Sequence, residues 1–205
     1  MKDFRSRRRF SILVGVFLPA TLAFAPADYP RDWGGGGGGY KLFLDATTKH
    51  GGQSSGSIQS TDGPGNFGTF TQWLRADRYR GKRLRLTGFL KIEGVGPGGA
   101  GLWMRVDGKE KTSIAFDNME KRRPRGTSDW KPYEVVLDVP DEAEEIYFGC
   151  LLVGPGKAWV DDLRFEVVGK DVPTTQLDVT PDDRGKDQPP FKVTRTTPTN
   201  LDFEL

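Results

Sequence analysis

The chain has 205 residues, of which 36% are hydrophobic and 27 are glycine, a composition that suits a globular protein and excludes a wholly disordered one. A single cysteine, Cys150, excludes an intramolecular disulfide framework, and a single histidine, His50, excludes His-rich metal centres. The formal net charge is +2, but five of the 30 basic residues and one of the 28 acidic residues precede residue 26. The rest has 25 basic and 27 acidic residues. This near balance of charge predicts no nucleic-acid partner, because nucleic-acid-binding proteins neutralise phosphates with basic side chains.

Residues 1–27 have the three-part order of a secretory signal peptide. A basic stretch, Lys2–Arg9, precedes an apolar stretch, Phe10–Phe24, and the small residues Ala23 and Ala25 flank Phe24 as at a cleavage site. About 15 apolar residues are fewer than the roughly 20 that a membrane span needs. The residues from Ser6 to Phe10 also resemble a twin-arginine export signal. We predict an extracytoplasmic domain, periplasmic or secreted, without a membrane span after signal cleavage; an uncleaved anchor is the alternative.

Residues 28–39 contain six consecutive glycines and are predicted to form a linker. Residues 40–169 consist of short alternating stretches bounded by Gly, Pro, Asp and Asn, without a helical period. This pattern predicts an all-β fold, an antiparallel jelly-roll β-sandwich. The nine predicted extended segments are Tyr40–Ala46, Ser55–Thr61, Phe67–Ala76, Arg83–Glu93, Gly101–Asp107, Thr112–Met119, Pro132–Val139, Glu145–Val153 and Ala158–Val168.

The alternation also assigns a core face. Along 84–90 and 102–107, alternate residues are aliphatic and the residues between them are polar or aromatic, so the aliphatic set is predicted to be buried. The phase changes at Asp161 and Asp162, which predicts a β-bulge there. Further predicted core residues are Tyr133, Val135, Leu137, Val139, Ile146, Phe148, Cys150 and Leu152.

Residues 170–205 are rich in Pro, Thr, Asp and Lys, and no alternating run there exceeds three residues. Such a composition cannot bury enough apolar surface to offset the entropy of ordering, so a disordered tail is predicted. The segment 200–205 has a different, more apolar character.

Five stretches have a recognisable pattern: Tyr79–Leu86, Ala100–Gly108, Ala115–Met119, Gly126–Trp130 and Ala158–Glu166. They resemble a bacterial galactose-binding-like, carbohydrate-binding-module-like β-sandwich module. Modules of this kind are found alone after a signal peptide or appended to transcription regulators of the AraC type. The resemblance covers roughly residues 33–168 and implies a fold but no activity. No helix-turn-helix pattern precedes the sandwich, so the resemblance implies no DNA binding.

Sandwiches of this kind often open with a segment similar to Asn-Leu-x-Phe-Glu, which here lies at Asn200–Glu204. The resemblance suggests that segment 200–205 returns as an edge strand, in its own domain or in a neighbour's.

A candidate ligand surface lies on the non-aliphatic side of the predicted sheet. Trp103, Arg105 and Asp107 alternate on one segment, and Asp117 is predicted beside them on the next, with Trp130 nearby. Sugars stack on aromatic rings and accept bidentate hydrogen bonds from planar charged groups, so these five residues predict a carbohydrate site. The alternative is that Arg105 and Asp117 form an ion pair and that the tryptophans pack the sandwich. Other tryptophans considered for this surface are Trp73 and Trp159.

A second candidate site comprises Asp45, Asp161 and Asp162, with the loop His50–Gly52. Hard cations take carboxylate and backbone oxygens, so this set predicts a structural calcium ion. The alternative is that the acids cap turns by accepting backbone N–H groups.

Catalytic motifs are scarce. Glycoside hydrolysis needs two facing carboxylates, for which the sequence offers Asp107 with Asp117 or Asp129. No nucleophile elbow is predicted, because the Gly-x-Ser-x-Gly pattern at Gly52–Gly56 leads into a predicted extended segment and not into a helix, and there is no phosphate-binding loop. We therefore predict a non-catalytic carbohydrate-recognition module. The alternatives are a cell-envelope assembly module with a protein partner, and a weak glycoside hydrolase. The basic loop Lys121–Arg125 predicts solvated surface; the alternative is a contact for an acidic polysaccharide, a lipid headgroup or a partner.

Overall fold

The computed structural model describes residues 29–61, 63, 65–176 and 193–204. The predicted signal peptide lies outside them, and in the part that is described no helix has the length and apolarity to span a membrane. Two short 3-10 helices occur, at Ala76–Arg78 and Lys109–Lys111. The strands are β1 (Gly34–Gly36), β2 (Tyr40–Asp45), β3 (Ser55–Ser60), β4 (Phe67–Arg75), β5 (Arg83–Val95), β6 (Ala100–Asp107), β7 (Ser113–Asp117), β8 (Gly126–Asp138), β9 (Glu145–Val153) and β10 (Lys157–Val168).

Two five-stranded antiparallel sheets form the sandwich. The front sheet has the order β1-β4-β9-β6-β7, and the back sheet has the order β2-β3-β10-β5-β8. The all-β antiparallel jelly-roll fold predicted from the alternation is confirmed, and each of the nine predicted segments overlaps one strand from β2 to β10. β9 and β10 are the central strands, so each hydrogen-bonds to a strand on both sides.

The aliphatic faces of both sheets meet in one core, as predicted. Leu84 and Leu86 of the back sheet and Met104 and Val106 of the front sheet are completely buried. Cys150 lies in the same core, where burial raises the pKa of its thiol to about 12. The alternation therefore works as expected for strands that bury one face, since successive side chains point to opposite sides.

The predicted β-bulge is present on β10. Asp161 pairs with Phe89 and Arg164 with Thr87, so two residues of β10 face Gly88 alone. Asp162 takes a left-handed backbone with φ of 48°, which lets Leu163 turn into the core. A Cβ at Gly88 would lie 2.3 Å from Leu163 Cδ2, so a larger residue where the bulge crosses β5 would displace the Leu163 side chain.

The glycine run forms a strand where the sequence predicts a linker. Gly34, Gly35 and Gly36 pair with Thr71, Phe70 and Thr69 of β4. A Cβ at Gly35 would lie 1.8 Å from the carbonyl oxygen of Thr69, so only glycine permits this approach. The sequence predicts flexibility here because glycine has no side chain. The same property allows Gly34–Gly36 to pair with β4.

The C-terminal segment also differs from its prediction. Residues 193–204 pack against the sandwich, although the sequence predicts a disordered tail, and Phe203 is completely buried in the core. Segment 200–204 returns to its own domain as a turn and not as an edge strand. Burial of an apolar ring between the sheets favours docking of the segment, whatever the average composition of the tail. Residues 177–192 and 205 lie outside the described residues.

Candidate functional site

The outer face of the front sheet carries a concave groove with a volume of about 710 Å³. This volume lies within the range of known small-molecule sites. All five strands of the sheet contribute residues, and the glycine strand β1 forms one border. Aromatic rings dominate the lining: Phe67, Trp73, Trp103, Phe116 and Tyr147.

Strand pairing brings these rings together. Arg105 lies opposite both Tyr147 and Phe116, so the three side chains share the groove face. Trp103 lies opposite Gly149, and its Nε1 donates a hydrogen bond of 3.0 Å to Thr69 Oγ1 on β4. This hydrogen bond joins β6 to β4, so the indole ring extends across β9 and lines the groove.

A charged cluster lies at the β6 end of the groove. The Arg105 guanidinium lies 4.6 Å from the centroid of the Tyr147 ring and donates from Nη2 to Asp107 Oδ2 at 2.8 Å. Asp107 is completely buried, and desolvation raises the pKa of its carboxyl although Arg105 opposes that shift. Asp107 also pairs in register with Ser113, a groove residue of β7.

Three buried polar atoms of this cluster have no hydrogen-bond partner among the described residues: Arg105 Nε, Asp107 Oδ1 and Ser113 Oγ. Most buried polar groups in folded proteins are satisfied, so such a group of atoms needs an explanation. Arg105 and Ser113 line the groove and offer it a donor and a hydroxyl that can donate or accept, whereas Asp107 is not a lining residue. This combination matches the hydroxyl groups of a polyol.

The loop after β7 contributes a second guanidinium. Arg123 lines the groove and donates to the carbonyl oxygens of Asn118 and Gly98, at 2.9 Å and 3.2 Å. Burial lowers the pKa of this group. Among the described residues that line the groove none is acidic. The prediction of solvated surface or partner contact for Lys121–Arg125 therefore missed that part of this loop builds the groove wall.

Asp117 does not lie on the groove face, contrary to the prediction. It pairs in register with Met104, whose side chain is in the core, whereas its neighbour Phe116 pairs with Arg105. Asp117 is completely buried and accepts hydrogen bonds from both terminal nitrogens of Arg122. The Arg105–Asp117 ion pair of the alternative hypothesis is also wrong, because each of these residues has a different partner.

Trp130 lies on β8 of the back sheet and therefore not in the groove. Its ring meets the His50 ring edge-on, with ring centroids 5.7 Å apart, and His50 stacks on Phe89 with centroids 3.7 Å apart. Trp159 is buried on the same sheet and donates from Nε1 to Asp45. Of the tryptophans predicted to accompany Trp103, the structure brings only Trp73 to it.

The acidic residues of the predicted calcium site do not converge. Within the described residues no group of three or more His, Cys, Asp or Glu side chains could hold a metal ion. Both oxygens of Asp45 accept hydrogen bonds, Oδ1 from Thr47 and Thr48 and Oδ2 from Trp159 and Lys157. Burial opposes ionisation of Asp45, but these donors outweigh it and hold its pKa well below the ordinary value.

Asp161 and Asp162 bind the loop that follows β2. Asp161 Oδ2 accepts the backbone N–H groups of His50 and Gly51, and its Oδ1 accepts that of Asp162. Desolvation raises the pKa of Asp161, although these bonds act in the other direction. Asp162 contacts His50 Nδ1 at 2.5 Å. The Asp161 carboxylate thus accepts backbone N–H groups, as in turn capping, which was the alternative hypothesis. This arrangement does not fit a calcium ion, which binds oxygen ligands.

The candidate catalytic carboxylates do not face one another. Asp107 lies on the groove side of β6, Asp117 points into the sandwich, and Asp129 lies on the back sheet in an ion pair with Lys91. Glycoside hydrolysis needs two carboxylates on either side of one bond. The predicted pairs therefore cannot act as an acid and a base on one substrate.

Sequence reasoning missed several groove residues, including Phe67, Phe116 and Tyr147. Along β7, Ile114 and Phe116 alternate with Ala115 and Asp117, so one set is apolar throughout and the other is small or charged. That pattern favours burying Phe116 and exposing Asp117, the reverse of the structure. A signal for the correct orientation was the basic loop that follows β7. Its Arg122 supplies the positive charge that neutralises the buried carboxylate of Asp117.

No protein-family model matches the chain. The chain is similar to the uncharacterized HTH-type transcriptional regulator YbfP of Bacillus subtilis strain 168, with 44% identity over 142 residues. The match covers 68% of this chain and 48% of YbfP, so the chain spans about half the length of that relative. The similarity agrees with the expected occurrence of the module in transcription regulators.

Solved structures share the fold. The CBM22-1 xylan-binding domain of Paenibacillus barcinonensis Xyn10C superposes with a TM-score of 0.52 at 13% identity, covering 69% of this chain and 90% of that domain. The enzymatically active domain of tailspike protein 4 from bacteriophage CBA120 superposes with a TM-score of 0.50 at 14% identity, covering 67% of this chain and 20% of that one. The predicted likeness to carbohydrate-binding-module sandwiches is thus confirmed at the level of the fold.

Proposed function

We propose that this protein is a non-catalytic module that binds a carbohydrate in the groove of the front sheet. The observation that carries the proposal is that five aromatic residues line one concavity together with Arg105 and Ser113, each of which has a buried polar atom without a partner among the described residues. Trp103 and Trp73 offer faces on which the C–H surface of a sugar ring stacks. Arg105, with Ser113 beside it, offers hydrogen bonds to hydroxyl groups.

The resemblance in fold to a xylan-binding domain supports this choice of ligand class. It does not by itself name the sugar, because one fold hosts many functions. The charge of the groove indicates which polysaccharides it favours. Arg105 is neutralised by Asp107, whereas Arg123 faces the same groove and forms no hydrogen bond to a carboxylate of the described residues. Polysaccharides that carry a carboxylate should therefore bind at least as well as neutral ones.

Replacing Trp103 with alanine should weaken polysaccharide binding at least tenfold, about 1.4 kcal/mol, because the stacking floor is lost. Affinity electrophoresis in gels containing soluble xylan, a neutral β-glucan or a polyuronate measures the effect. Far-ultraviolet circular dichroism on the same samples shows that the variant remains folded.

The matched control is Trp130→Ala, which removes the same ring from the opposite sheet and should leave retardation in the gel unchanged. Two results would contradict the proposal: no polysaccharide of the panel retards the wild-type chain, or Trp130→Ala weakens binding as much as Trp103→Ala does.

We also propose that the module acts outside the cytoplasm. This proposal is supported by the order of basic, apolar and small residues in segment 1–27. Expression of the full chain in a bacterial host should yield periplasmic or secreted protein whose first residue follows Ala25 or Ala27, as read by N-terminal sequencing. Recovery of the intact N-terminus from the soluble cytoplasmic fraction alone would refute export.

A further inference from the structure

The segment Thr199–Glu204 occupies a pocket at one end of the sandwich, which we call the tail slot. The segment reaches the slot from the far end of the chain, yet it contacts residues near the beginning of the domain. The slot is formed by Trp33, the loop Gly52–Ser54, Gly56, Phe70 and Gln72.

An aromatic ring fills the deepest part of the slot. Phe203 stacks on Trp33 with centroids 4.9 Å apart and meets Phe70 edge-on at 5.8 Å. On the third side a Cβ at Gly56 would lie 2.6 Å from the Phe203 ring. The cavity therefore has the shape of a phenyl ring and depends on a glycine to admit it.

Side chains of the sandwich bind the backbone of the segment. The buried amide of Gln72 donates from Nε2 to the carbonyl of Thr199 at 2.8 Å and accepts the N–H of Thr199 at 2.9 Å. Trp33 Nε1 donates to the carbonyl of Asn200 at 2.8 Å. Because Gln72 is completely buried, its amide needs these partners.

The slot also binds a carboxylate. Glu204 Oε1 accepts the backbone N–H groups of Gln53 and Ser54 at 2.7 Å and 3.2 Å, and Ser54 Oγ donates to the carbonyl of Phe203 at 2.6 Å. A Cβ at Gly52 would lie 2.1 Å from Glu204 Oε1, so this loop too is shaped around the segment.

These contacts have the character of peptide recognition, with side chains that grip a backbone, a ring pocket and a carboxylate clamp, and they involve no strand pairing. All of them are made to residues 199–204, so the slot binds the segment itself, whichever chain carries it. The 16 residues 177–192 connect Gln176 to Val193 and can span at most about 55 Å when extended, enough to reach a neighbouring molecule. Exchange of an identical element between copies is a low-cost route to association.

We propose that the tail slot is a peptide-recognition site for the sequence Thr-Asn-Leu-Asp-Phe-Glu, and that it binds this segment from a second copy of the chain as well as its own. The slot opens on the inner side of β4, whereas the groove lies on the outer side, so the two sites are on opposite faces of that strand.

Two full-length variants test the proposal. Phe203→Ala disables the tail and leaves the slot intact, whereas Gly56→Val blocks the slot and leaves the tail intact. We expect each variant to be monomeric alone and the equimolar mixture to form a one-to-one complex, seen as a doubled mass in light scattering. The control mixture, in which the Gly56→Val chain also carries Phe203→Ala, should form no complex. A mixture of folded variants that stays monomeric would refute exchange between copies.

A second measurement decides the question if either variant fails to fold. A protease site inserted between Gln176 and Val193 of the otherwise unchanged chain is cut, and a fluorescent synthetic peptide of residues 193–204 is added. We expect a saturable rise in anisotropy, and at least a thirtyfold weaker response to the peptide with Phe203→Ala. A peptide that never enters, or enters equally well without the phenyl ring, would show that the slot is ordinary core and not a recognition site.

Discussion

Replacing Phe203 with alanine is expected to lower the free energy of unfolding by about 3–5 kcal/mol. The ring is completely buried between Trp33 and Phe70, and its loss leaves a cavity that the two sheets cannot close. For a domain of this size the melting temperature should fall by on the order of 10 °C. Urea denaturation followed by circular dichroism measures the loss directly.

The matched control is Asp202→Ala, one residue earlier and exposed. It should change stability by less than about 0.5 kcal/mol, the usual range for surface positions. Equal stabilities for the two variants would mean that the C-terminal segment does not pack in the core.

Replacing Arg122 with methionine is expected to cost about 3 kcal/mol, because it leaves the buried carboxylate of Asp117 without a counter-charge. The remaining donor to Asp117 is the backbone N–H of Met119. This loop looks from its sequence like exposed surface, where such a change would have almost no effect. The free energy of unfolding from urea titrations measures the difference.

Two further variants complete that experiment. Lys121→Met removes the neighbouring exposed charge and should be nearly neutral. Asp117→Asn combined with Arg122→Met should recover most of the lost stability, because no charge is then left buried and unpaired. If the double variant is no more stable than Arg122→Met alone, the ion pair is not the source of the effect.

The strands were predictable because burial of one face imposes an alternation that the residues themselves display. Every second residue is apolar in these parts of β5 and β6, and the four residues concerned are buried: Leu84, Leu86, Met104 and Val106. The bulge at Asp161 followed from the same rule, since Val160 and Leu163 are both buried yet lie three residues apart. These features need only the periodicity of an extended chain.

The groove was predictable only in part. Trp103 and Arg105 lie on the correct face because β6 has an unambiguous alternation. Asp117 was misplaced because β7 offers two plausible phases, and a shift of one residue moves every side chain to the opposite face. Trp130 was misplaced because nothing in the local sequence says which sheet a strand will join.

By itself the sequence determined the fold class, the strands β2 to β10, the core face and the bulge, because each is a local consequence of residue periodicity. The tertiary structure alone decided which strands share a sheet, that a run of glycines pairs with β4, that Arg122 neutralises a buried acid, and that Phe203 closes the core. Those outcomes depend on contacts between residues far apart along the chain, such as Trp33 with Phe203 and Gln72 with Thr199. No local pattern carries that information.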